Sequence, residues 1–181
     1  NKVIVNKDTS FNPIWIMRQA GRYLPEFREI RKNNPNFINL CLNDDLSAEI
    51  TLQPLRRFNL DAGIIFSDIL MVPYGLGQKV VFEKNFGPKL GELDLNEIAK
   101  IDEIDFVEKI HRVYKAINKV SSDSILNDKN TIGFVGAPWT LLVYMINQQS
   151  PKKNLKKDFF KDGFLINRIL LIIEKFLKVH I

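Results

Sequence analysis

The sequence is short of sulfur, histidine and long apolar runs, and each shortage excludes something. Of its 181 residues one is Cys and two are His. A lone Cys41 closes no intramolecular disulfide and builds no structural zinc site that needs two or more thiolates. His111 and His180 have no metal-ligand spacing between them. A reducing, cytoplasmic setting is the expectation. The apolar stretch Ile169–Ile173 is bounded by Asn167, Arg168, Glu174 and Lys175, far short of the ~20 residues that span a bilayer, so no membrane helix is expected. Residues 1–5, Asn-Lys-Val-Ile-Val, offer neither an initiator Met nor a long apolar core. No secretory signal is expected there, and a start further upstream is. Charge of one sign is also scarce: 26 Lys+Arg against 21 Asp+Glu leaves +5, too little for a nucleic-acid footprint, although a pI near 9.3 suits an acidic small molecule.

What is present is the make-up of a globular α/β chain, 45% hydrophobic and 26% charged, outside the disordered class. Short apolar runs ending in Gly or Pro alternate with stretches of helical period, which argues for βαβ units. Three strands are expected, at 13–17, 61–66 and 131–135, with a minor strand or hairpin arm at 80–82. Helices are expected from Asp45 to Phe58, with Pro54 as a kink, and from an Asp105/Glu108 capping box through Phe106, Ile110, Val113, Ile117 and Val120. Two more are expected from Pro138 to about Gln148 and from about Gly163 to the last residue. Three strands and so apolar a last helix call for more sheet to cover them, so the expectation is part of a larger domain. The lysines at 152, 153, 156, 157 and 161 are expected to form a solvated helix face.

Three clusters carry candidate chemistry. Arg18-Gln19-Ala20-Gly21-Arg22 follows the first expected strand, where α/β folds place their sites. Two guanidiniums four residues apart, with small residues between, can each grip a carboxylate, although ordinary surface arginines with Glu26 as a partner fit the same spacing. Asp68 ends an apolar strand, where a carboxylate is costly to desolvate unless it meets donors, or else caps the next turn. In the third cluster, 133–144, Tyr144 lies one helical turn after Thr140. Its hydroxyl either faces a cleft or is satisfied within a packed core.

Together these clusters resemble the uroporphyrinogen decarboxylases. Residues 13–25 (PIWIMRQAGRYLP) are similar to the family's N-terminal signature, 66–70 (FSDIL) to its aspartate segment and 133–144 (GFVGAPWTLLVY) to its third motif; 52–58 (LQPLRRF) is also family-like. The resemblance implies the first part of a (β/α)8 TIM barrel, with residues 1–181 as the N-terminal portion of one such domain. It also implies a homodimer and cofactor-independent, metal-free removal of the four acetate carboxyls of uroporphyrinogen III to give coproporphyrinogen III, in haem and porphyrin biosynthesis. Arg18, Gln19, Ala20, Gly21, Arg22 and Tyr144 are then implied in substrate binding, and Asp68 in both binding and catalysis. Asp68 would accept from the pyrrole N–H groups and stabilise positive charge on a protonated ring. Arg18 is also a candidate proton donor by position, but a guanidinium with a pKa above about 12 is a poor general acid, which favours binding. The family's later contacts, a hydroxyl residue and a histidine, have no counterpart here, so the 181 residues alone are expected to be inactive.

The sequence departs from the family at Ile146–Pro151, where Glu-Gly-Gly is common, and at Gly77-Gln78, where Gly-Met is common. A cobalamin- or thiol-dependent methyltransferase of the same superfamily is the rival enzyme, but it would want a zinc site and lacks the 18–23 signature. A non-catalytic chain that binds anionic tetrapyrroles is the rival of a different class.

Overall fold

A computed structural model of the chain describes residues 6–7, 10–151 and 155–181. Lys152, Lys153 and the 1–5 segment lie outside the described residues. The elements in chain order are α1 (Pro25–Asn33), α2 (Phe37–Cys41), α3 (Asp44–Arg57), β1 (Ala62–Ile64), α4 (Met71–Gly75), β2 (Val80–Glu83), β3 (Gly87–Leu90), α5 (Leu95–Lys100), α6 (Glu103–Ser121), β4 (Asn130–Ile132), α7 (Pro138–Asn147) and α8 (Gly163–His180). The class is mixed α/β, and no closed barrel forms among the described residues. Two compact units divide the chain, one from residues 1–35, 39–67 and 112–134, the other from 36–38, 68–111 and 135–181.

The first unit is organised around a parallel pair. β1 and β4 run side by side with Gly63 opposite Thr131. The ladder continues past both ends, Asn130 N–H donating to Asp61 O (2.9 Å) and Ile65 N–H to Ile132 O (3.1 Å). Helix α3 covers this pair with Ala48, Leu52 and Leu55, which join Leu60, Ile65, Val120 and Leu126 in one apolar cluster. Gly63 is what lets the helix lie so close, since a Cβ there would meet Leu55 Cδ1 at 2.8 Å. The start of α3 is capped by Asn43, whose side chain accepts from Leu46 N–H. Asp44 is buried there and takes Arg112 at 2.8 Å and Lys119 at 2.7 Å, and these two cations hold its carboxyl well below the usual carboxylate range. Pro54 falls in the last turn of α3, where its carbonyl accepts from Phe58 N–H.

The strand expected at 13–17 is not a strand. Asp61 ties it down: Ile14 N–H donates to Asp61 Oδ2 (2.6 Å) and Asp61 N–H to Ile14 O (2.8 Å). Ile14, Trp15, Ile16 and Met17 remain exposed, so the apolar run that suggested a buried strand has nothing to pack on among the described residues. The other two strands are found but shorter than expected, because Phe66 and Phe134 have already left the ladder.

The second unit holds the hairpin. β2 and β3 pair antiparallel, Val80 opposite Leu90, around a tight turn with Asn85 and Gly87 both at positive φ. Helices α7 and α8 pack against each other and against α4. Phe106 and Phe176 stack at 4.8 Å, and Gly75 lies so close to Phe106 that a Cβ would come within 2.6 Å of its ring. The expected Asp105 cap moves back one turn. Asp102 is the capping residue, accepting Asp105 N–H on its side chain (2.8 Å) and Phe106 N–H on its carbonyl (3.1 Å), which leaves Asp105 inside the first turn of α6. The expected basic helix face is a 3-10 turn at Lys157–Lys161 with exposed lysines.

Candidate functional site

Arg18 to Arg22 belong to the first unit, Asp68 and Tyr144 to the second, and each group is built by its own unit.

The arginine loop is rigid where it is neutral and open where it is charged. Gln19 is buried at 2% exposure. Its amide stands 3.2 Å from the carbonyls of Ile16 and Ala62 and 2.9 Å from Ile64 N, so its NH2 donates twice and its oxygen accepts once. The Tyr23 hydroxyl donates to Gln19 O, Leu24 N–H closes the turn on Gly21 O (3.0 Å), and Leu24 sits in a second apolar cluster with Phe27, Leu40 and Ile50. Arg28 reaches back from α1 to donate to Arg22 O (2.8 Å) and Tyr23 O (3.2 Å). By contrast the guanidiniums of Arg18 and Arg22 are exposed and have no hydrogen-bond or ion-pair partner among the described residues. Glu26, the partner that an ordinary surface cluster would give them, is taken bidentately by Arg57 at 3.0 Å.

Arg31, which the sequence pattern did not single out, is a third cation of this region. Burial lowers its pKa and repulsion from Arg22 adds to that, while its Nη1 donates to Asn34 O (2.6 Å). The signal was available: Arg28 and Arg31 recur one turn apart on the helix that the signature leads into.

The approach to Asp68 is fixed just past the end of β1. There the Phe66 N–H donates to Thr51 Oγ1 (2.8 Å) and the Ser47 hydroxyl donates to Phe66 O (2.6 Å), two buried hydroxyls one turn apart on α3 doing the work of a neighbouring strand. Thr51 completes the set by donating to Ser47 O (2.8 Å). Sequence analysis passed over both residues as ordinary helix positions.

In the second unit Asp68 makes a side-chain turn. Its Oδ1 accepts Leu70 N–H (2.8 Å) and its carbonyl accepts Met71 N–H (3.1 Å), so it does cap the turn that enters α4. The second carboxylate oxygen has no partner among the described residues. Burial pushes the carboxyl pKa up, and the Leu70 N–H offsets part of that. The third motif packs against this turn, since a Cβ on Gly136 would lie 3.2 Å from Ile69 Cβ and 2.6 Å from Leu141. Tyr144 sits half-buried on α7, and its hydroxyl has no hydrogen-bond partner among the described residues. Ala20 and Gly21 are half-buried, and a Cβ on Gly21 would meet nothing nearer than the Tyr23 ring at 3.7 Å. Among the described residues no three His, Cys, Asp or Glu side chains come together as metal ligands, and no helix is long and apolar enough to cross a membrane.

In the first unit, unpaired arginines on a fixed loop are groups that can grip carboxylates; in the second, a desolvated carboxylate with one oxygen open can accept from N–H donors. The family model described as uroporphyrinogen decarboxylase (URO-D) matches residues 1–181, and the chain belongs to that family. Among curated relatives it is 44% identical over 144 residues to "Uroporphyrinogen decarboxylase" of Agrobacterium fabrum, covering 80% of this chain and 42% of that protein. It is 47% identical over 134 residues to the protein of that name from Chelativorans sp., 74% of this chain and 39% of that one. The protein of that name from Brucella ovis is 44% identical over 144 residues, 79% and 42%. The chain thus spans about two fifths of the length of the curated relatives it matches.

Proposed function

We propose that this chain is the N-terminal portion of a single (β/α)8 barrel that decarboxylates uroporphyrinogen III to coproporphyrinogen III in porphyrin biosynthesis. In each of four rounds the bond between an acetate methylene and its carboxylate breaks, CO2 leaves, and the carbon takes a proton to become a methyl group. Asp68 accepts the pyrrole N–H groups on its unpartnered oxygen and stabilises the cationic, ring-protonated state that precedes each loss. Arg18 and Arg22 clamp peripheral carboxylates, with Gln19, Ala20 and Gly21 as the backbone of that loop and Tyr144 as a hydroxyl contact. Catalysis needs no metal or organic cofactor on this reading. A homodimer in the cytoplasm, free of nucleic acid and membrane, goes with the family resemblance.

The observation that carries the proposal is the Asp68 carboxylate, half-buried with one oxygen engaged by Leu70 N–H and the other open. A parallel β1–β4 pair is the strand arrangement a barrel of this kind uses. The test is anaerobic incubation of uroporphyrinogen with the 181-residue chain and with a reading frame extended to the relatives' length, products being resolved by carboxyl number. Stepwise loss of four carboxyls by the extended chain is the expected result. No loss by either folded chain would replace the enzyme with a porphyrin-binding protein.

A further inference from the structure

We propose that the buried Gln19 amide is the positioning group for the Arg18/Arg22 pair, acting at one point on β1 as the peptide group of a paired strand would. The inference rests on the reading of those arginines as carboxylate clamps. The odd residues of the β1 region face β4, through Asp61 O and Ile65 N–H. The even ones point to the opposite edge, and it is Ala62 O and Ile64 N–H that Gln19 engages, at 3.2 and 2.9 Å. A parallel neighbour would donate to and accept from that same pair. An amide is the side chain that supplies both a donor and an acceptor in one plane, and the second N–H of Gln19 goes to Ile16 O (3.2 Å).

The consequence is a loop fixed at both ends. At the near end Gln19 follows Arg18 directly and binds β1, while its own carbonyl takes the Tyr23 hydroxyl. At the far end Arg22 O and Tyr23 O are held by Arg28, and Leu24 is buried at 1% exposure. Among the described residues the stretch before the loop has no strand partner, and apart from the Gln19 contact at Ile16 O its backbone is held by Asp61 at Ile14, four residues before Arg18. Without Gln19 the first arginine would be referenced to the fold only at that distance. A clamp binds well only when its guanidiniums are preset, because the ordering of two long side chains otherwise works against the contact.

The test measures coproporphyrin III binding by fluorescence in a chain extended to the relatives' length, for Gln19→Met, Gln19→Glu and Arg18→Ala/Arg22→Ala, at a temperature where circular dichroism shows each variant folded. Gln19→Met is expected to raise Kd roughly tenfold in the parent, and to add nothing in the Arg18→Ala/Arg22→Ala background, since it acts through those arginines. Gln19→Glu turns a donor into an anion facing two carbonyls. Its loss relative to the parent is expected near pH 8 and is expected to shrink toward about pH 5 as the carboxyl regains a proton to donate. Variants that are less stable yet bind with the parent Kd, or a Gln19→Met loss that is undiminished without the arginines, overturn the inference. An Arg18→Ala/Arg22→Ala chain that binds like the parent overturns the clamp reading instead, whatever Gln19 does. Should Gln19→Met not fold, the pH-dependent ratio for Gln19→Glu decides the matter.

Discussion

The loop at 18–24, tied to β1 through Gln19, and the turn at 66–71, which follows β1 in the chain, treat their polar groups in opposite ways. In the loop the neutral groups are consumed internally, by Gln19, Tyr23 and Arg28, and what remains unsatisfied is a pair of exposed guanidiniums. In the turn the backbone is held by Ser47, Thr51 and Asp68 itself, and what remains is one oxygen of a half-buried carboxylate. An exposed guanidinium keeps its water and its charge until a ligand arrives. A carboxylate deprived of water is less content as an anion, and its pKa rises accordingly. The first arrangement suits a grip on carboxylates, and the second suits a group whose charge state responds to what it meets.

The sharpest way to break this comparison is Asp68→Asn in a chain of the relatives' length. Turnover should fall by about 10²–10³-fold, the scale of losing one preorganised electrostatic partner, and a smaller loss would place the reaction elsewhere. The same change should not destabilise the fold. A carboxyl whose folded pKa is raised is fully compatible with the native state only below its unfolded pKa of about 3.9, and stability is lost as pH rises through the folded value. Asp68→Asn is therefore expected to melt at or above the parent temperature at neutral pH, the two converging in acid. Calorimetry across pH checks the sign.

A smaller effect is expected at the hydroxyl pair. Thr51→Val keeps the shape of the side chain but removes the hydroxyl that accepts Phe66 N–H, at a cost of about 1–3 kcal/mol in denaturant unfolding. Thr51→Ser should restore most of it, and equal losses for Val and Ser would show that the methyl packing matters rather than the oxygen. The smallest effect has the opposite sign. Gln148 ends α7 in the left-handed region at φ 60, so Gln148→Gly should stabilise by up to about 1 kcal/mol.

Helices were legible in the sequence because their apolar residues recur on one face. The Asp44–Arg57 and Pro138–Asn147 elements begin and end within a residue or two of expectation. The strands were less so. An apolar run at 13–17 looks like a buried strand by composition, but a strand needs a partner for its backbone, and sequence does not say that one side chain, Gln19, takes Ala62 O and Ile64 N–H on the free edge of β1. The cap at Asp102 was hidden because Asp105, with Glu108 three residues on, carries the capping-box pattern and Asp102 does not, yet it is the Asp102 side chain that accepts Asp105 N–H. Of the candidate site, Arg18, Arg22, Asp68 and Tyr144 were singled out by the motifs, and among the described residues each keeps at least one polar side-chain atom without a hydrogen-bond partner. The supporting residues were not, because a serine and a threonine one turn apart on an otherwise apolar helix face read as neutral until a strand end is seen beneath them.

The amide at Gln19 also bears on how this chain behaves in a crowd. An unpaired strand edge is a template on which another molecule's strand can assemble, and natural sheets blunt such edges with charge, proline or cover. Here Ala62 O and Ile64 N–H are already engaged from within, by a side chain too short to be extended by a further strand. The exposed Ile14 and Ile16 lie in the stretch just before Gln19, so where apolar surface would favour another molecule's strand, the backbone groups it would pair with are already taken.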